Sequence, residues 1–483
     1  MDTSVNLAIE AAKARMQVLL DVQKRAQLRR GPPDAQLRKD RLTRCIDLLL
    51  TQQNELVAAI QADFGVRSAD MTRLTDIAGA IGPLKYARAN LDAWMKPRSR
   101  KVSPAALSVL GALAEVRFQP KGVVGVMTPW NFPVQLALDA IAGAFAAGNS
   151  VMLKPSEFTP ATSALLAQLF DLYFDEDELA VVLGGPDVGA AFAGLAFDHL
   201  IFTGATSVGR QVMRAAAENL TPVTLELGGK SPVIIGRGAD MAKAAARIMA
   251  GKVMNAGQVC LAPDYVLAPA ESVDGFVTAA RAAVTKMYPA IKDNGDYTAM
   301  INQRHYDRVR ALIADAKSKG ADVIELNPGN EDFSQQEHRK IPPTLILGAT
   351  DDMGVMQEEI FGPVLPVRGY NAFAETIADI NARARPLSLY YFGDDAAESE
   401  ALLARTHSGG VTINDVIFHF SMDDLPFGGI GPSGTGAYHG HRGFTEFSHE
   451  KAVYRQIGSE ILALLRPPYG EAFRKQVTAR LKG

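Results

Sequence analysis

The chain has 483 residues, of which 47% are hydrophobic and 21% are charged, and its formal net charge is -3. This length predicts about two to three domains, and the small net charge gives no reason to expect binding to nucleic acid or to an anionic membrane. Two cysteines, Cys45 and Cys260, are too few for a disulfide framework or a four-thiolate zinc site, and they suit a reducing compartment. With no apolar run of ~18 residues and no secretory signal pattern, we expect a cytoplasmic protein without a membrane span.

The first hundred residues are predicted to be helical. In residues 37–65, apolar side chains recur at three- and four-residue spacing and the pattern ends at a glycine, which is typical of an amphipathic helix. Cys45 lies on the apolar stripe of this helix, so we interpret it as a core residue. From residue 102 to 120 the helical period is lost, which favours an extended excursion.

Short apolar strands then alternate with helices. The strands are "GVVGVMT", "SVMLKP", "LAVVLG" and "HLIFTG", each followed by a helical pattern. This alternation predicts an α/β fold with a parallel, doubly wound sheet that binds ligands at the carboxyl ends of its strands. A second alternating region, from "SPVIIG" to "GGVTIND", predicts a second α/β domain, with a polar surface loop at residues 327–340.

Two turns in the first region are candidate ligand contacts. Gly204 and Gly209 flank the start of a helix, where backbone N–H groups and the helix dipole favour a phosphate, although a tight turn without a ligand explains them equally well. Lys154 and Glu157 follow a strand end, where the lysine could attract a phosphate or hydroxyl and the carboxylate could bind ribose hydroxyls. A solvated turn is the alternative.

Three further motifs contain candidate catalytic or binding groups. In "TPWNFPVQ", the Asn131 amide could stabilise an oxyanion beside Trp130, or it could cap a helix. Glu226, at the end of an apolar run, could be a general base with a raised pKa or an exposed turn residue. In "QEEIFGPVLPV", an acid could hold sugar hydroxyls while Phe361 packs on a flat ring, or the segment could simply enter a strand.

Cys260 is the candidate nucleophile because it lies in a loop, "NAGQVC", and not on an apolar stripe. By contrast, His439 and His441 in "YHGHRGF" have no cysteine or carboxylate cluster beside them in the sequence. We interpret them as a polar loop and predict no metal site.

The order of these motifs resembles the aldehyde dehydrogenase superfamily. "TPWNFP", "KPSE", "FTG", "ELGGKSP", "GQVC", "EEIFGPV" and "PFGGIGPSG" follow the order and approximate spacing of that superfamily over nearly the whole chain. "NAGQVCLAPDYV" and "LLRPPYG" are similar to the class 3 branch, and "QADFG" and "NDVIFHF" resemble bacterial coniferyl aldehyde dehydrogenases within it.

The resemblance implies a role for each matching position. It implies that Cys260 is the nucleophile, that Glu226 activates the hydrolytic water, and that Asn131 forms the oxyanion hole with the Cys260 backbone N–H. The positions that it places at the cofactor are Thr128, Trp130, Lys154, Glu157, Gly204, Gly209, Glu359 and Phe361. Phe132 and Phe427 match substrate-pocket positions, and Phe418 and Phe420 would lie near the same pocket.

The implied activity is oxidation of an aldehyde to the carboxylic acid with NAD. NADP is an alternative, because class 3 relatives use both cofactors, although Glu157 would repel a 2′-phosphate. Ala205 replaces the serine that many members have after "FTG". An aromatic aldehyde such as coniferyl aldehyde is the expected substrate, and an aliphatic aldehyde is the alternative. For the reaction, the alternative is transfer of the acyl group to coenzyme A. A third alternative is a binding or structural protein without activity.

The resemblance also implies a domain plan. Residues 1–101 and 121–228 would form the cofactor-binding domain, and residues 229–430 the catalytic domain. Residues 102–120 and 445–456 would be oligomerisation strands of a homodimer or homotetramer, and residues 457–483 a C-terminal tail.

Overall fold

The computed structural model describes residues 3–103, 105–458 and 466–482. The chain divides into two compact units, one of Met1–Trp94 and Gln119–His449, the other of Met95–Phe118 and Glu450–Gly483. Among the described residues, no helix is long and apolar enough to cross a membrane.

The N-terminal region is helical, as predicted. Its helices are α1 (Thr3–Arg30), α2 (Ala35–Thr51), α3 (Gln53–Phe64), α4 (Ala69–Thr72) and α5 (Gly79–Trp94), with a π-helical turn at Arg73–Ala78. The helix predicted over residues 37–65 is in fact two helices, because Gln52 leaves the helical conformation (φ -106°, ψ 17°). Cys45 lies in α2 with no exposed surface, which confirms its assignment to the core.

The excursion predicted over residues 102–120 is only partly extended. Strand β1 (Arg98–Arg100) is followed by a short helix, α6 (Ala105–Val109), and then by strand β2 (Leu113–Pro120). The strand prediction is therefore wrong for residues 105–109, where "AALSV" contains good helix formers. β1 and β2 pair in the antiparallel direction.

The first alternating region folds as predicted. It contains β3 (Val123–Met127), α7 (Gln135–Ala147), β4 (Ser150–Lys154), α8 (Pro160–Tyr173), β5 (Leu179–Val181), α9 (Pro186–Ala193), β6 (His199–Gly204), α10 (Thr206–Ala217) and β7 (Val223–Leu227). Every residue of β3 and β4 is buried, which is typical of parallel strands covered on both faces.

The second alternating region begins after β7. Its elements are β8 (Pro232–Ile235), α11 (Met241–Val253), β9 (Tyr265–Pro269), α12 (Val273–Met287), α13 (Gln303–Ser318), β10 (Asp322–Glu325), β11 (Thr344–Leu347), α14 (Gly354–Gln357), β12 (Val364–Tyr370), α15 (Phe373–Asn381), β13 (Ser388–Phe392), α16 (Ala396–Arg405) and β14 (Gly410–Ile413). The C-terminal elements are β15 (Gly434–Thr435), α17 (Gly440–Glu446), β16 (Ser448–Arg455) and α18 (Glu471–Leu481).

These strands form three sheets. The order in the first is β15-β7-β6-β3-β4-β5 and in the second β10-β11-β12-β9-β8-β13-β14, while β1-β2-β16 form the third. The two large sheets are parallel apart from one antiparallel edge strand each, β15 and β10, which confirms the α/β, doubly wound prediction. Because parallel strands share one carboxyl edge, the ends of β3, β4, β6 and β7 bring the predicted site residues together.

Candidate active site

The loop before Cys260 has an unusual backbone. After α11, Asn255 and Ala256 both take left-handed conformations (φ 48° and 52°), and Gly257 follows at φ 73°. Non-glycine residues in such conformations cost about 1–3 kcal/mol each and occur mainly where the surroundings impose them, often at functional sites. A Cβ on Gly257 would lie 2.2 Å from the carbonyl oxygen of Gly362, so this position accepts only glycine.

The side chain of Gln258 holds this loop in place. Its Nε2 donates to the carbonyl oxygens of Asn255 (2.9 Å) and Ala299 (3.1 Å), and its Oε1 accepts from the Ile301 N–H (3.0 Å). The residue is fully buried. A buried, satisfied amide of this kind fixes the backbone that presents Cys260.

Cys260 is partly accessible to solvent, whereas Cys45 is buried. Burial, reinforced by the nearby Glu359 and Glu226 carboxylates, raises the pKa of the Cys260 thiol to about 12. Low dielectric and two acids therefore disfavour negative charge on the sulfur. The thiol must lose its proton to a base before it can attack a substrate.

Glu226 is the candidate base for the hydrolytic water. It lies on β7 and is 3% exposed, which excludes the alternative of an exposed turn residue. Neither carboxyl oxygen has a hydrogen-bond partner among the described residues. Burial first, and then the charge of Glu446, raises its pKa well above the usual range, as is typical of a carboxyl group that exchanges protons near neutral pH.

Asn131 is fixed from both sides. Its Nδ2 donates to the Gln258 carbonyl oxygen (3.1 Å), and its own carbonyl oxygen accepts from Arg67 Nη1 (2.7 Å) and Asn255 Nδ2 (3.2 Å). The capping alternative is excluded, because the N-cap of α7 is Val134. The Asn131 Nδ2 uses one N–H to bond Gln258, two residues before Cys260. Its second N–H is suited to stabilising an oxyanion.

Sequence reasoning missed the ion pair that supports Asn131. The side chains of Arg67 and Asp76 have no exposed surface and meet at 2.5 Å. Asp76 Oδ1 accepts from the N–H groups of Val134 (3.2 Å) and Gln135 (3.4 Å), at the start of α7. Asp76 belongs to the π-helical turn, and its partners lie 58 and 59 residues away, so no local pattern indicates this contact.

A groove of about 1410 Å³, including its solvent-open mouth, lies at the carboxyl ends of β3, β4 and β6. It includes five of the predicted cofactor positions, namely Thr128, Trp130, Lys154, Glu157 and Gly204. Two lining residues that the sequence did not suggest are Arg304 and His305. Both lie in α13 and not in a loop that follows a strand, so only the tertiary fold brings them to the groove.

Lys154 and Glu157 occupy one end of this groove. Lys154 is 4% exposed, and its Nζ donates to the Pro155 carbonyl oxygen (2.8 Å) and to Glu157 Oε2 (3.5 Å). Burial lowers the lysine pKa, with Glu157 opposing this change. This pairing excludes a fully solvated turn for the lysine and leaves the exposed carboxylate available to hydroxyl groups.

Gly209 lies outside the groove lining. A Cβ at this position would meet Leu227 Cδ2 at 2.6 Å. The absent side chain therefore allows α10 to pack closely on β7. Helix–sheet packing therefore explains the glycine at this position, and its place beside a cofactor phosphate stays a prediction.

Glu359 and Phe361 lie in the loop between α14 and β12. The Phe361 ring meets Trp130 edge to face at 5.4 Å, and Phe361 has a left-handed backbone (φ 48°). Burial, with the added charge of Asp264, raises the pKa of Glu359 to about 8, against an opposing hydrogen bond from the Gly229 N–H. One carboxyl oxygen, Oε1, has no partner among the described residues, so the group could accept a hydroxyl.

The two predicted substrate-pocket residues are buried aromatic side chains. Phe132 lies 5.1 Å from the Arg67 guanidinium, and Phe427 stacks on His439 at 5.2 Å. Phe420 packs edge to face on Phe427 at 4.9 Å, whereas Phe418 is 56% exposed. Phe420 is therefore the better placed of the two later phenylalanines.

His439 is buried, so the prediction of a polar loop is wrong for this residue. Its ring is packed among aromatic side chains, which the "YHGHRGF" pattern does not indicate. His441 meets Trp94 edge to face at 5.8 Å. The described part of the chain contains no group of three His, Cys, Asp or Glu placed to hold a metal ion.

Comparison with known proteins identifies the family of the chain. Residues 3–453 match the aldehyde dehydrogenase family. The chain is 62% identical to a probable coniferyl aldehyde dehydrogenase of Caulobacter vibrioides, over 100% of both chains. It is 54% identical to a coniferyl aldehyde dehydrogenase of a Pseudomonas species, over 94% of this chain and 93% of the relative.

Solved structures show the same fold. Substrate-bound Staphylococcus aureus AldH superposes with a TM-score of 0.90 at 34% identity, covering 96% of this chain and 99% of that one. A Mycobacterium tuberculosis aldehyde dehydrogenase complexed with NAD+ gives 0.82 at 29% identity, covering 92% and 91%. The chain belongs to the aldehyde dehydrogenase family, which confirms the resemblance read from the motifs. It is an oxidoreductase, and among its relatives are both coniferyl aldehyde dehydrogenases and class 3 enzymes.

Proposed function

We propose that this enzyme oxidises an aromatic aldehyde of the coniferyl aldehyde type to the free carboxylic acid with NAD, in the cytoplasm. The observation that carries the proposal is the convergence of three groups. Cys260 ends a rigid loop, and the Asn131 amide donates a hydrogen bond to that loop at the Gln258 carbonyl oxygen. The carboxyl group of Glu226 has no hydrogen-bond partner among the described residues, and its charge helps to raise the pKa of the Cys260 thiol.

These groups support a two-stage reaction. Cys260 transfers its proton to a base, and the sulfur bonds to the aldehyde carbon. The resulting oxyanion accepts hydrogen bonds from Asn131 and from the Cys260 backbone N–H. The C–H bond then breaks with its electron pair, and a thioester remains on the sulfur. Glu226 takes a proton from a water molecule that attacks this thioester, so that the C–S bond breaks and the acid leaves.

NAD, when bound, accepts the hydride of the first stage. The groove fits a dinucleotide, because its volume is large and Lys154 and Glu157 place polar groups at its end. Glu157 favours a free 2′-hydroxyl over a 2′-phosphate, and so favours NAD over NADP. Glu359, with its unpartnered Oε1, would hold the nicotinamide ribose, beside Phe361 and Trp130.

The aromatic substrate is supported by the names of the two relatives above and by the aromatic side chains around Phe427. An aliphatic aldehyde is the second candidate, favoured by relatives such as the 4,4'-diaponeurosporen-aldehyde dehydrogenase of Staphylococcus aureus, at 36% identity. The domain plan is part of the proposal. The predicted boundary at residues 228–229 falls between β7 and β8, which lie in different sheets.

A homodimer or homotetramer is proposed on the basis of β16. Most residues of this strand are exposed, and it is an edge strand of its sheet. Exposed edge strands offer unpaired backbone groups to another chain.

Acid formation without coenzyme A tests the proposed reaction. The purified enzyme is incubated with NAD and coniferyl aldehyde, and both NADH and the free acid are measured. We expect equal, sustained release of the two products, abolished in Cys260→Ser and retained in the matched variant Cys45→Ser. A single burst of NADH that continues only when coenzyme A is added would instead show an acylating enzyme.

A further inference from the structure

A second pair of buried polar groups lies apart from the groups used above. The side chain of Asp139, on α7, has no exposed surface, and that of His439 is 3% exposed. The imidazole Nε2 and the nearest carboxyl oxygen are 3.9 Å apart, which is too long for a hydrogen bond. Within the described part of the chain, neither Asp139 oxygen nor His439 Nε2 has a partner. Buried polar atoms left in this state require an explanation.

The two groups face each other without charge. Burial, with added repulsion from Asp423 and Asp76, raises the pKa of Asp139 well above its usual range. Burial, with repulsion from His419, lowers the pKa of His439 to about 3. A neutral carboxylic acid can donate one hydrogen bond, and a neutral imidazole can accept one. The ring is also hydrogen-bonded to the Phe420 backbone, which fixes its orientation.

The pair lies on the reaction side of the molecule. Burial first, and then the charges of Asp139, Glu226 and Cys260, raises the pKa of Tyr438, so all three groups lie within electrostatic range of one buried side chain. His439 also stacks on Phe427 at 5.2 Å. This aromatic surface therefore connects the pair to the predicted substrate pocket.

Asn131 and Asp139 are separated along the chain by the first turn of α7. Asn131, the oxyanion donor, precedes α7, and Asp139 lies four residues after the first residue of that helix. Four residues advance the helix by ~6 Å. Asp139 is thus separated along α7 from the end of the helix that Asn131 precedes.

We propose that Asp139 and His439 bind the phenolic hydroxyl of a para-hydroxylated aromatic aldehyde, an inference that rests on the proposed function. A hydroxyl between the two groups donates to His439 Nε2 and accepts from the Asp139 carboxylic acid, which satisfies all three. The strained backbone of His439 (φ 80°) is consistent with an imposed ring position. Phe420, whose ring meets His439 at 4.9 Å, must turn aside to admit the substrate ring.

An internal water is the competing occupant, since it makes the same two hydrogen bonds. The two occupants differ in their effect on selectivity. A site that hydrogen-bonds a substrate hydroxyl rejects the analogue without it, because its own polar groups are then left unpaired. A permanently bound water gives no such discrimination.

The test compares 4-hydroxycinnamaldehyde with cinnamaldehyde, which differ only in the phenolic hydroxyl. The measured quantity is the ratio of their kcat/KM values in the full-length enzyme with NAD. We expect the wild type to favour the hydroxylated substrate, and Asp139→Leu and His439→Leu to reduce this preference by about 10- to 100-fold. The exposed Asp171 provides the matched control, Asp171→Asn, which should keep the wild-type ratio.

A wild-type ratio near one, or a ratio that is unchanged in the variants, would overturn the proposal and indicate the water. If Asp139→Leu unfolds, as judged by its Tm, His439→Leu decides the matter, since it removes the acceptor for the hydroxyl proton and leaves Asp139 in place. Failure of the wild type to oxidise either aldehyde would overturn the proposed aromatic substrate class itself, and this outcome differs from an unchanged ratio.

Discussion

At the scale of single residues, the two cysteines differ in accessibility and not in their resting charge. Cys45 is closed off in α2, and burial raises its pKa above that of an ordinary thiol. Cys260 is partly accessible, but burial and two neighbouring carboxylates also raise its pKa, to about 12. The loop position in the sequence predicted the accessibility. It could not predict the charge, because Glu226 and Glu359 approach the sulfur only in the tertiary structure.

This difference predicts how alkylation of the ligand-free enzyme depends on pH. The thiolate is the reactive form, and a pKa raised to about 12 keeps its fraction growing as pH rises through the neutral range. The labelling rate of Cys260 should therefore increase about tenfold per pH unit between pH 7 and about 10, without a plateau. Peptide mass spectrometry identifies the modified residue.

Two variants control this measurement. Cys45→Ser should leave the rate unchanged, and Cys260→Ser should abolish labelling of the folded chain. A plateau already reached below pH 8 would mean that the sulfur is ionised at rest, and equal labelling of Cys45 would mean that accessibility does not separate the two thiols.

At the scale of elements, the start of α7 is organised by residues far away in the sequence. The alternation of strands and helices predicted α7 and its neighbours because each repeats a clear apolar period. It did not identify β13, whose run "SLYYF" is buried at every position. It also missed Arg67 and Asp76, which bond to Asn131, Val134 and Gln135 only after the N-terminal helices pack on this region.

Breaking the Arg67–Asp76 pair should impair both stability and catalysis. Asp76→Ala leaves a buried guanidinium without its partner, and we expect it to lower the free energy of unfolding by about 3–5 kcal/mol. Since the segment holding Asn131 would shift, kcat should fall ~10- to 100-fold with little change in the KM for NAD. Denaturant unfolding and steady-state kinetics measure the two effects.

The exposed pair Arg73–Asp70, on the same segment, is the matched control. Arg73→Ala should change stability by no more than about 1 kcal/mol and leave kcat unaltered. If Asp76→Ala folded with reduced stability but a normal kcat, the buried pair would support the fold without positioning Asn131.

At the scale of the whole molecule, two parallel sheets bring distant motifs to one region. The order of motifs along the chain predicted the family and the fold, because it records the strand ends that meet at a shared carboxyl edge. The groove collects residues from β3, β4, β6 and α13, whereas Cys260 and Phe361 come from loops of the second sheet region. Contacts from α13, such as those of His305 with Trp130 at 5.1 Å, carry no signal in the local sequence.

The central claim is that Cys260 carries the acyl group between oxidation and hydrolysis, and Glu226→Gln tests it most directly. With NAD and coniferyl aldehyde, this variant should lack the base for the second stage and retain the thioester. Intact-protein mass spectrometry should show one added acyl group, located on Cys260 by peptide mapping, together with about one equivalent of NADH. Sustained acid release at the wild-type rate, or an acyl group on any other residue, would contradict the account.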